Sequence, residues 1–434
     1  MEIISLIKFT IKVFAQGVVS FLFQPIAWIF LFILYLQYKR IYRLQKEMYF
    51  GDLKYSIKDM MVTSILSGIL AALFINILMT LVGITFSNSV GLQIVVLISL
   101  ILLTINPRYV CLSYSGGLFS LFLIISKYLI DKDIINSKSF IEFINFINID
   151  IPSLMAIIGI MHLIEAVLIW IDGYKAATPA YMKKEDKIIG VYVIQRFWPI
   201  PLIFYFLMKG TVSLGDLVST PDWWPLFKPS IKSIDLKNAV FMAIPVFAML
   251  GYGDFAISTD VKTKVKRTSI HLIFFSIILI FLAFFAIKYN IFAFVASIFS
   301  PIAHEFLIIY ERYIENKKPP LWIRREDGIV VLDSMPNSVA EKMGIKAGDK
   351  IVAINNYPIR NLEDLINFFQ SYYNYVWVEV VDVYGNKKLY EYKDYQNGIS
   401  ELGILTIPKY AFNIPIIEDR RRLLSLIKSR FKKQ

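Results

Sequence analysis

Residues 328–356 read GIVVLDSMPNSVAEKMGIKAGDKIVAINN, and their pattern predicts the fold of the C-terminal part of the chain. Two β-rich runs, GIVVLDSM and DKIVAIN, flank a short helical stretch that begins after a capping Ser338 and stops at Gly344. Gly348 and Asp349 suit the tight turn into the second strand. The pattern predicts a small soluble module of mixed α and β structure.

The sequence beyond this stretch completes the module. The β-rich runs VWVEVVDV and KLYEYKD follow, and the stretch NLEDLINFFQSY before them begins on Asn361 with acidic residues in its first turn, as helices do. Strand, short helix, strand, longer helix and further strands in this order predict a compact, partly open barrel. We place this module at residues 325–410.

The same residues carry a family resemblance. The chain matches the pattern P-x-S-x-A-xxx-G-[IL]-xx-G-D-x-I-xx-[IV]-N-G of bacterial PDZ domains, so the module resembles a PDZ domain. The motif residues are Ser338, Ala340, Gly344, Gly348, Asp349 and Asn355. Asn356 departs from the family, which usually has glycine there, but asparagine also accepts the left-handed conformation.

The resemblance implies a groove that binds an extended peptide as an added strand, between an edge strand and the helix after Asn361. Helical spacing puts Leu365 and Phe368 toward the core, although both faces of this helix could also be core. The circularly permuted arrangement of bacterial PDZ domains would draw the groove strand from the segment SELGILTIP. The expected groove residues are Leu362, Ile366, Phe369, Leu402, Gly403 and Ile404.

The sequence before this module has the pattern of a membrane domain. Of the 434 residues of the whole chain, 56% are hydrophobic and 18% are charged, and the mean hydropathy is +0.57. These values exclude an ordinary soluble protein. Apolar blocks of membrane-spanning length predict an α-helical polytopic bundle of about eight or nine spans, followed by the PDZ-like barrel. The predicted spans cover 18–38, 62–83, 91–105, 109–130, 152–171, 197–208, 237–257, 269–288 and, as a ninth span or a re-entrant segment, 291–310.

This reading divides the chain into four parts. We expect a transmembrane domain at 1–310, a juxtamembrane linker at 311–324, the PDZ-like domain at 325–410 and a basic amphipathic tail at 411–434. Pro25 suggests a kink in the first span. The tail suits an anionic membrane surface, and a solvated charged terminus is the alternative.

The net charge of +12 follows the membrane pattern. Lys and Arg gather beside hydrophobic blocks, above all at 39–58, where the positive-inside rule explains them better than nucleic acid does. Counting crossings from that loop through a ninth span puts the PDZ-like module in the cytoplasm, whereas a re-entrant segment would put it outside. The Lys- and Arg-rich stretch ERYIENKKPPLWIRR after residue 310 favours the cytoplasm. We therefore expect a multi-pass protein of the bacterial cell membrane, in contact with lipids and protein partners.

Catalytic motifs are incomplete. Cys111 is the only cysteine, and the run His304-Glu305-Phe306-Leu307-Ile308 lacks the second histidine of the HExxH motif of intramembrane metalloproteases. The sequence therefore predicts no metal, no cofactor and no enzyme activity. The polar candidates within apolar surroundings are His162, Glu165, Asp254, His304 and Glu305, for which structural contacts or a proton or ion path are the alternatives.

Many spans, a PDZ-like module and a short tail together resemble the MinJ family of cell-division proteins of Firmicutes. The SPIAHE and GYGD segments fit that family without being specific to it. The resemblance implies a scaffold that links partners of the DivIVA and MinD kinds during selection of the division site. The alternatives are an inactive relative of site-2 proteases and a transporter with a regulatory PDZ domain.

Overall fold

Nine α-helices lie between residues 2 and 317 in the described part of the protein. The computed structural model describes residues 2–208, 218–228, 239–410 and 416–417. The helices are α1 Glu2–Leu22, α2 Pro25–Met48, α3 Ile57–Val82, α4 Val90–Ile105, α5 Leu112–Asp131, α6 Lys138–Phe146, α7 Ile151–Asp172, α8 Val261–Ala286 and α9 Asn290–Lys317. A 3-10 turn, Pro107–Val110, joins α4 to α5.

The predicted fold class is confirmed, as a set of long apolar helices followed by a β-rich PDZ region. Within the described ranges six helical segments are long and apolar enough to cross a membrane, and the shorter α4 is also apolar. Five predicted spans coincide with α3, α4, α5, α7 and α8. The apolar segment 291–310 lies in one continuous helix, α9, which contains Pro301 and extends into the predicted linker.

The first predicted span, 18–38, is wrong in its boundaries. Helix α1 ends at Leu22, and a second helix begins at Pro25. Proline at the first position of a helix costs no hydrogen bond, because the amide there has no partner within the helix. Pro25 therefore starts α2 instead of kinking a single span.

The helical domain also contains a β-sheet. Its strands are β1 Thr85–Phe86, β2 Thr178–Lys184, β3 Lys187–Leu207, β4 Phe241–Ala256 and β5 Trp322–Ile323. Strand β3 is central: it pairs with β2, β4 and β5 in antiparallel fashion and with β1 in parallel.

The predicted helical spans at 197–208 and 237–257 are wrong, because residues 197–207 and 241–256 belong to the paired strands β3 and β4. Pro199, Pro201 and Pro245 interrupt the two segments. Each proline in a helix interior would cost about 3 kcal/mol, which disfavours a helix through these segments. The described part of the protein thus has about six or seven long apolar helices, in place of the expected eight or nine spans.

Helix α3 holds β3 against the bundle. The Asn76 side chain donates to the Pro201 carbonyl at 2.8 Å and accepts from the Ile203 amide at 2.7 Å, so it satisfies the strand backbone inside the apolar domain. A Cβ atom at Gly68 would lie 2.3 Å from the Pro199 carbonyl oxygen. Glycine is therefore needed for the close approach of helix and strand.

The C-terminal module has its own sheet and core. Its strands are β6 Ile329–Ser334, β7 Lys350–Ile354, β8 Tyr357–Pro358, β9 Tyr375–Val381, β10 Lys387–Lys393 and β11 Ile404–Thr406, with helices α10 Val339–Met343 and α11 Leu362–Phe368. The strand order is β10-β9-β7-β6-β11, with β8 beside β7. Ile351 and Ile354 are fully buried in the core of this module. A short last strand, β12 Ile416–Ile417, pairs with β2, and the rest of the predicted tail lies outside the described residues.

The motif residues take the backbone roles read from the sequence. The Ser338 hydroxyl accepts from the Glu341 amide and caps α10, and Gly344 ends that helix at φ 82°. Asn355 and Asn356 have φ angles of 49° and 66°, in the left-handed region that asparagine tolerates.

Candidate functional site

Helix α11 presents an apolar face to solvent. Asn361 starts the helix by accepting hydrogen bonds from the amides of Glu363 and Asp364. Of the side chains that follow, Leu365 and Phe368 are buried, whereas Leu362 and Ile366 are 51% and 57% exposed. This division agrees with the helical spacing. Phe369 is half-buried against the PDZ core, and the role of these residues in peptide binding stays a prediction.

Strand β11 lies at the edge of the PDZ sheet, next to β6. The loop before it is fixed from both sides: the Met335 amide donates to the Gly403 carbonyl at 2.9 Å and the Ala340 amide to the Leu402 carbonyl at 2.8 Å. Gly403 has a φ of 67°, and a Cβ there would lie 2.5 Å from the Cβ of Ser338. Only glycine fits this loop, which sets the start of the predicted groove strand.

Side chains of β11 alternate between two cores. Ile404 packs against the PDZ core, as Phe369 does, whereas the next residue, Leu405, belongs to the core of the membrane domain together with Ile407 and Leu332. A strand that packs between two domains directs successive side chains to opposite sides. The PDZ module is therefore docked on the membrane domain through the strands β6 and β11.

Polar contacts reinforce this docking. Asp333 on β6 accepts from the Tyr49 hydroxyl at 2.6 Å and from the Lys54 ammonium at 3.1 Å. Tyr192 donates to the Leu332 carbonyl at 2.7 Å, and Tyr181 donates to the Thr406 carbonyl at 2.9 Å.

Two of these hydroxyls are firmly protonated. Burial, followed by the charge of Asp333, raises the pKa of Tyr49, and burial raises the pKa of Tyr181 to about 12. Both tyrosines therefore act as hydrogen-bond donors at any physiological pH. Neither Tyr49 nor Asp333 was among the residues that the sequence singled out, because their meeting depends on how the two domains dock.

A second constellation lies among the helices. Cys111, at the turn before α5, places its Sγ 3.0 Å from His162 Nε2 and 3.7 Å from His304 Nε2. These three ligand atoms all lie within 4.8 Å of one another. His162 and His304 stand near the middles of α7 and α9, so the turn at residues 107–111 reaches the interior of the bundle.

Neighbouring groups orient both imidazoles. His162 Nδ1 donates to the Ile158 carbonyl at 2.7 Å, and His304 Nδ1 is 3.3 Å from the Tyr114 hydroxyl. Tyr114 in turn donates to Glu305 at 2.6 Å. Glu305 is further held by an ion pair with Arg108 at 2.9 Å.

Four of the five predicted polar candidates thus lie at this cluster, and Cys111 joins them. Glu165 lies 3.9 Å from His162 Nε2, and Glu305 supports His304 through Tyr114. No partner for Cys111 could be predicted from the sequence, because its two histidines follow 51 and 193 residues later. A lone cysteine beside an Asn-Pro turn in an apolar segment was the only available signal.

Asp254 belongs to a different network. It lies on β4 and pairs with Lys264 at 2.7 Å, and Lys264 also contacts Glu311 at 2.7 Å. Arg267 joins the network by pairing with Glu311 at 3.1 Å and with Glu315 at 2.6 Å. This cluster fastens the start of α8 to the end of α9, and it places two cations of the KTKVKR segment in ion pairs.

Comparison with known proteins agrees with both parts of the structure. The model of the PDZ domain family matches residues 330–371. Over 396 residues the chain is 25% identical to the cell division topological determinant MinJ of Bacillus subtilis (strain 168), an alignment that covers 89% of this chain and 93% of that protein. The chain is MinJ-like and carries a PDZ domain.

The MinJ-like assignment extends beyond the PDZ region. An alignment of 396 residues is longer than either part of the chain alone, so the membrane domain and the PDZ domain of the MinJ-like chain are both included. No solved structure matches the chain.

Proposed function

We propose that this MinJ-like chain is a membrane-anchored adaptor that recruits protein partners through its PDZ domain. The observation that carries the proposal is the edge strand β11 in the same domain as the exposed apolar face of α11. An extended peptide would add to β11 through main-chain hydrogen bonds, and Leu362, Ile366 and Phe369 would receive its side chains. The loop formed by Leu402 and Gly403, with Ile404 after it, would hold the end of the peptide.

The proposed orientation puts the PDZ domain in the cytoplasm of a bacterial cell, next to its membrane. Two basic segments, 39–58 and 173–196, contact the PDZ domain, and a third, 262–267, contacts the end of α9, the helix that precedes this domain. Lys54 of the first segment pairs with Asp333, Tyr181 of the second donates to the Thr406 carbonyl, and Arg267 of the third pairs with Glu315. Because basic segments stay on the cytoplasmic side, their meeting at one end supports this orientation.

The name of the Bacillus subtilis relative, cell division topological determinant, indicates the process. We propose that the partners are division proteins of the DivIVA and MinD kinds and that the chain helps to select the division site. The contacts of Glu305 also agree with an adaptor function. Tyr114 and Arg108 both bind its carboxylate, so Glu305 is not free to act as a base.

Replacing Ile366 by aspartate is expected to weaken partner binding at least tenfold, because it puts a charge in the apolar wall of the groove and costs at least about 1.4 kcal/mol of binding energy. The measurement is the amount of DivIVA-like and MinD-like protein that copurifies with the full-length chain, together with its localisation at division sites. Leu389→Asp on β10 is the matched control, because Leu389 is 54% exposed at the opposite edge of the sheet. Equal binding by the two variants would contradict the proposed groove.

A further inference from the structure

We propose that Cys111, His162 and His304 bind a zinc ion inside the helical bundle. The chain has one cysteine and three histidines in all, and the cysteine and two of the histidines converge from three separate segments. A thiolate and two imidazoles form a donor set that zinc prefers. This site is separate from the PDZ groove and does not rest on the adaptor function.

The spacing of the ligand atoms suits a tetrahedral ion. Bonds of about 2.3 Å to sulfur and about 2.0 Å to nitrogen put the two ligand atoms about 3.5 Å apart at tetrahedral angles. The corresponding separations from Cys111 Sγ are 3.0 Å to His162 Nε2 and 3.7 Å to His304 Nε2. Shifts of a few tenths of an ångström, well within side-chain freedom, bring both to the expected value.

Both histidines are set in the tautomer that a metal requires. His162 uses its Nδ1 proton for the Ile158 carbonyl, which leaves the lone pair on Nε2, the atom that faces Cys111. His304 Nδ1 is engaged by Tyr114, whose own proton goes to Glu305. Outer partners of this kind fix the ring orientation of metal-binding histidines.

Charge also balances at this site. The Cys111 thiol releases its proton to solvent when it binds the ion, and its thiolate and the Glu165 carboxylate together offset the two positive charges of Zn²⁺. Glu165 lies 3.9 Å from His162 Nε2, on the ligand side of the ring, whereas Glu305 is already neutralised by Arg108. A neutral set of charges is what an apolar surrounding favours.

The ion would tie three elements together. Cys111 belongs to the turn between α4 and α5, and the histidines stand on α7 and α9. Irregular backbone at the depth of a membrane occurs where protein or a cavity surrounds it. Zinc bound to Cys111 would hold this turn against the two helices and would keep its fourth tetrahedral position for water.

The test is the zinc content of the untagged full-length protein in detergent, incubated with ZnCl₂ and then passed through a desalting column. We expect about one zinc per chain for the wild type and less than about a tenth of that for Cys111→Ser and His304→Gln. His271→Gln is the matched control and should keep its zinc, because His271 pairs with Glu311 in the other network.

A second measurement needs no variant. Alkylation of Cys111 in the wild type, the only thiol of the chain, should slow at least tenfold with zinc relative to EDTA. Less than stoichiometric zinc, unchanged alkylation, or equal loss of zinc in His271→Gln would overturn the proposal. Stoichiometric copper in place of zinc in protein purified from cells would overturn the choice of metal.

Discussion

Replacing Asp172 by alanine is expected to destabilise the membrane domain by about 3–5 kcal/mol, because it leaves a buried arginine without its counter-charge. Arg196 is fully buried, and its Nε donates to Asp172 Oδ2 at 2.9 Å. The same oxygen accepts from Trp198 Nε1 at 2.7 Å, and Lys175 pairs with the other oxygen at 3.0 Å. The Asp172 carboxylate thus joins the end of α7 to the middle of β3.

Thermal unfolding of the purified protein in detergent measures this effect. Asp172→Ala should lower the midpoint by several degrees, or prevent accumulation of folded protein. Asp186→Ala is the matched control, because Asp186 is exposed and its ion pair with Lys183 is long, at 3.8 Å. This variant should change stability by less than about 0.5 kcal/mol. Similar midpoints for the two variants would contradict the buried ion pair.

The second large effect is expected at the docking surface. Asp333→Ala should cost about 2 kcal/mol of docking free energy, because the buried Tyr49 hydroxyl loses its acceptor and Lys54 loses its partner. Amide hydrogen exchange in β6, β11 and the end of α2 should become at least tenfold faster, while the PDZ core around Ile351 keeps its protection.

Asp327→Ala provides the comparison for the docking experiment. Asp327 is exposed and pairs with Lys350 within the PDZ domain, so its loss should leave exchange in β6 and β11 unchanged. If the Asp333 and Asp327 variants exchange alike, the polar contacts do not hold the two domains together.

Local signals made the PDZ domain predictable. Gly344, Gly348 and the Asn355-Asn356 pair each occupy a left-handed backbone position, so the residue type reports the conformation directly. The division of α11 into a buried and an exposed face followed from helical spacing alone.

The strands β3 and β4 were not recognised, because an apolar run reads alike for a membrane helix and for a strand buried on both faces. Pro199, Pro201 and Pro245 were the signal against helices in these two segments. The Cys111 cluster and the Asp333 contacts could not be predicted for another reason. Their members are brought together by tertiary packing, which local patterns do not encode.

Photo-crosslinking in living cells tests partner recruitment most directly. A photoreactive residue would replace Ile366 on the exposed face of α11, or Leu389 on β10, in the full-length protein. We predict a crosslink from position 366 to a division protein, and none from position 389. A crosslink to that protein from position 389 alone, with none from position 366, would contradict recruitment through the proposed groove.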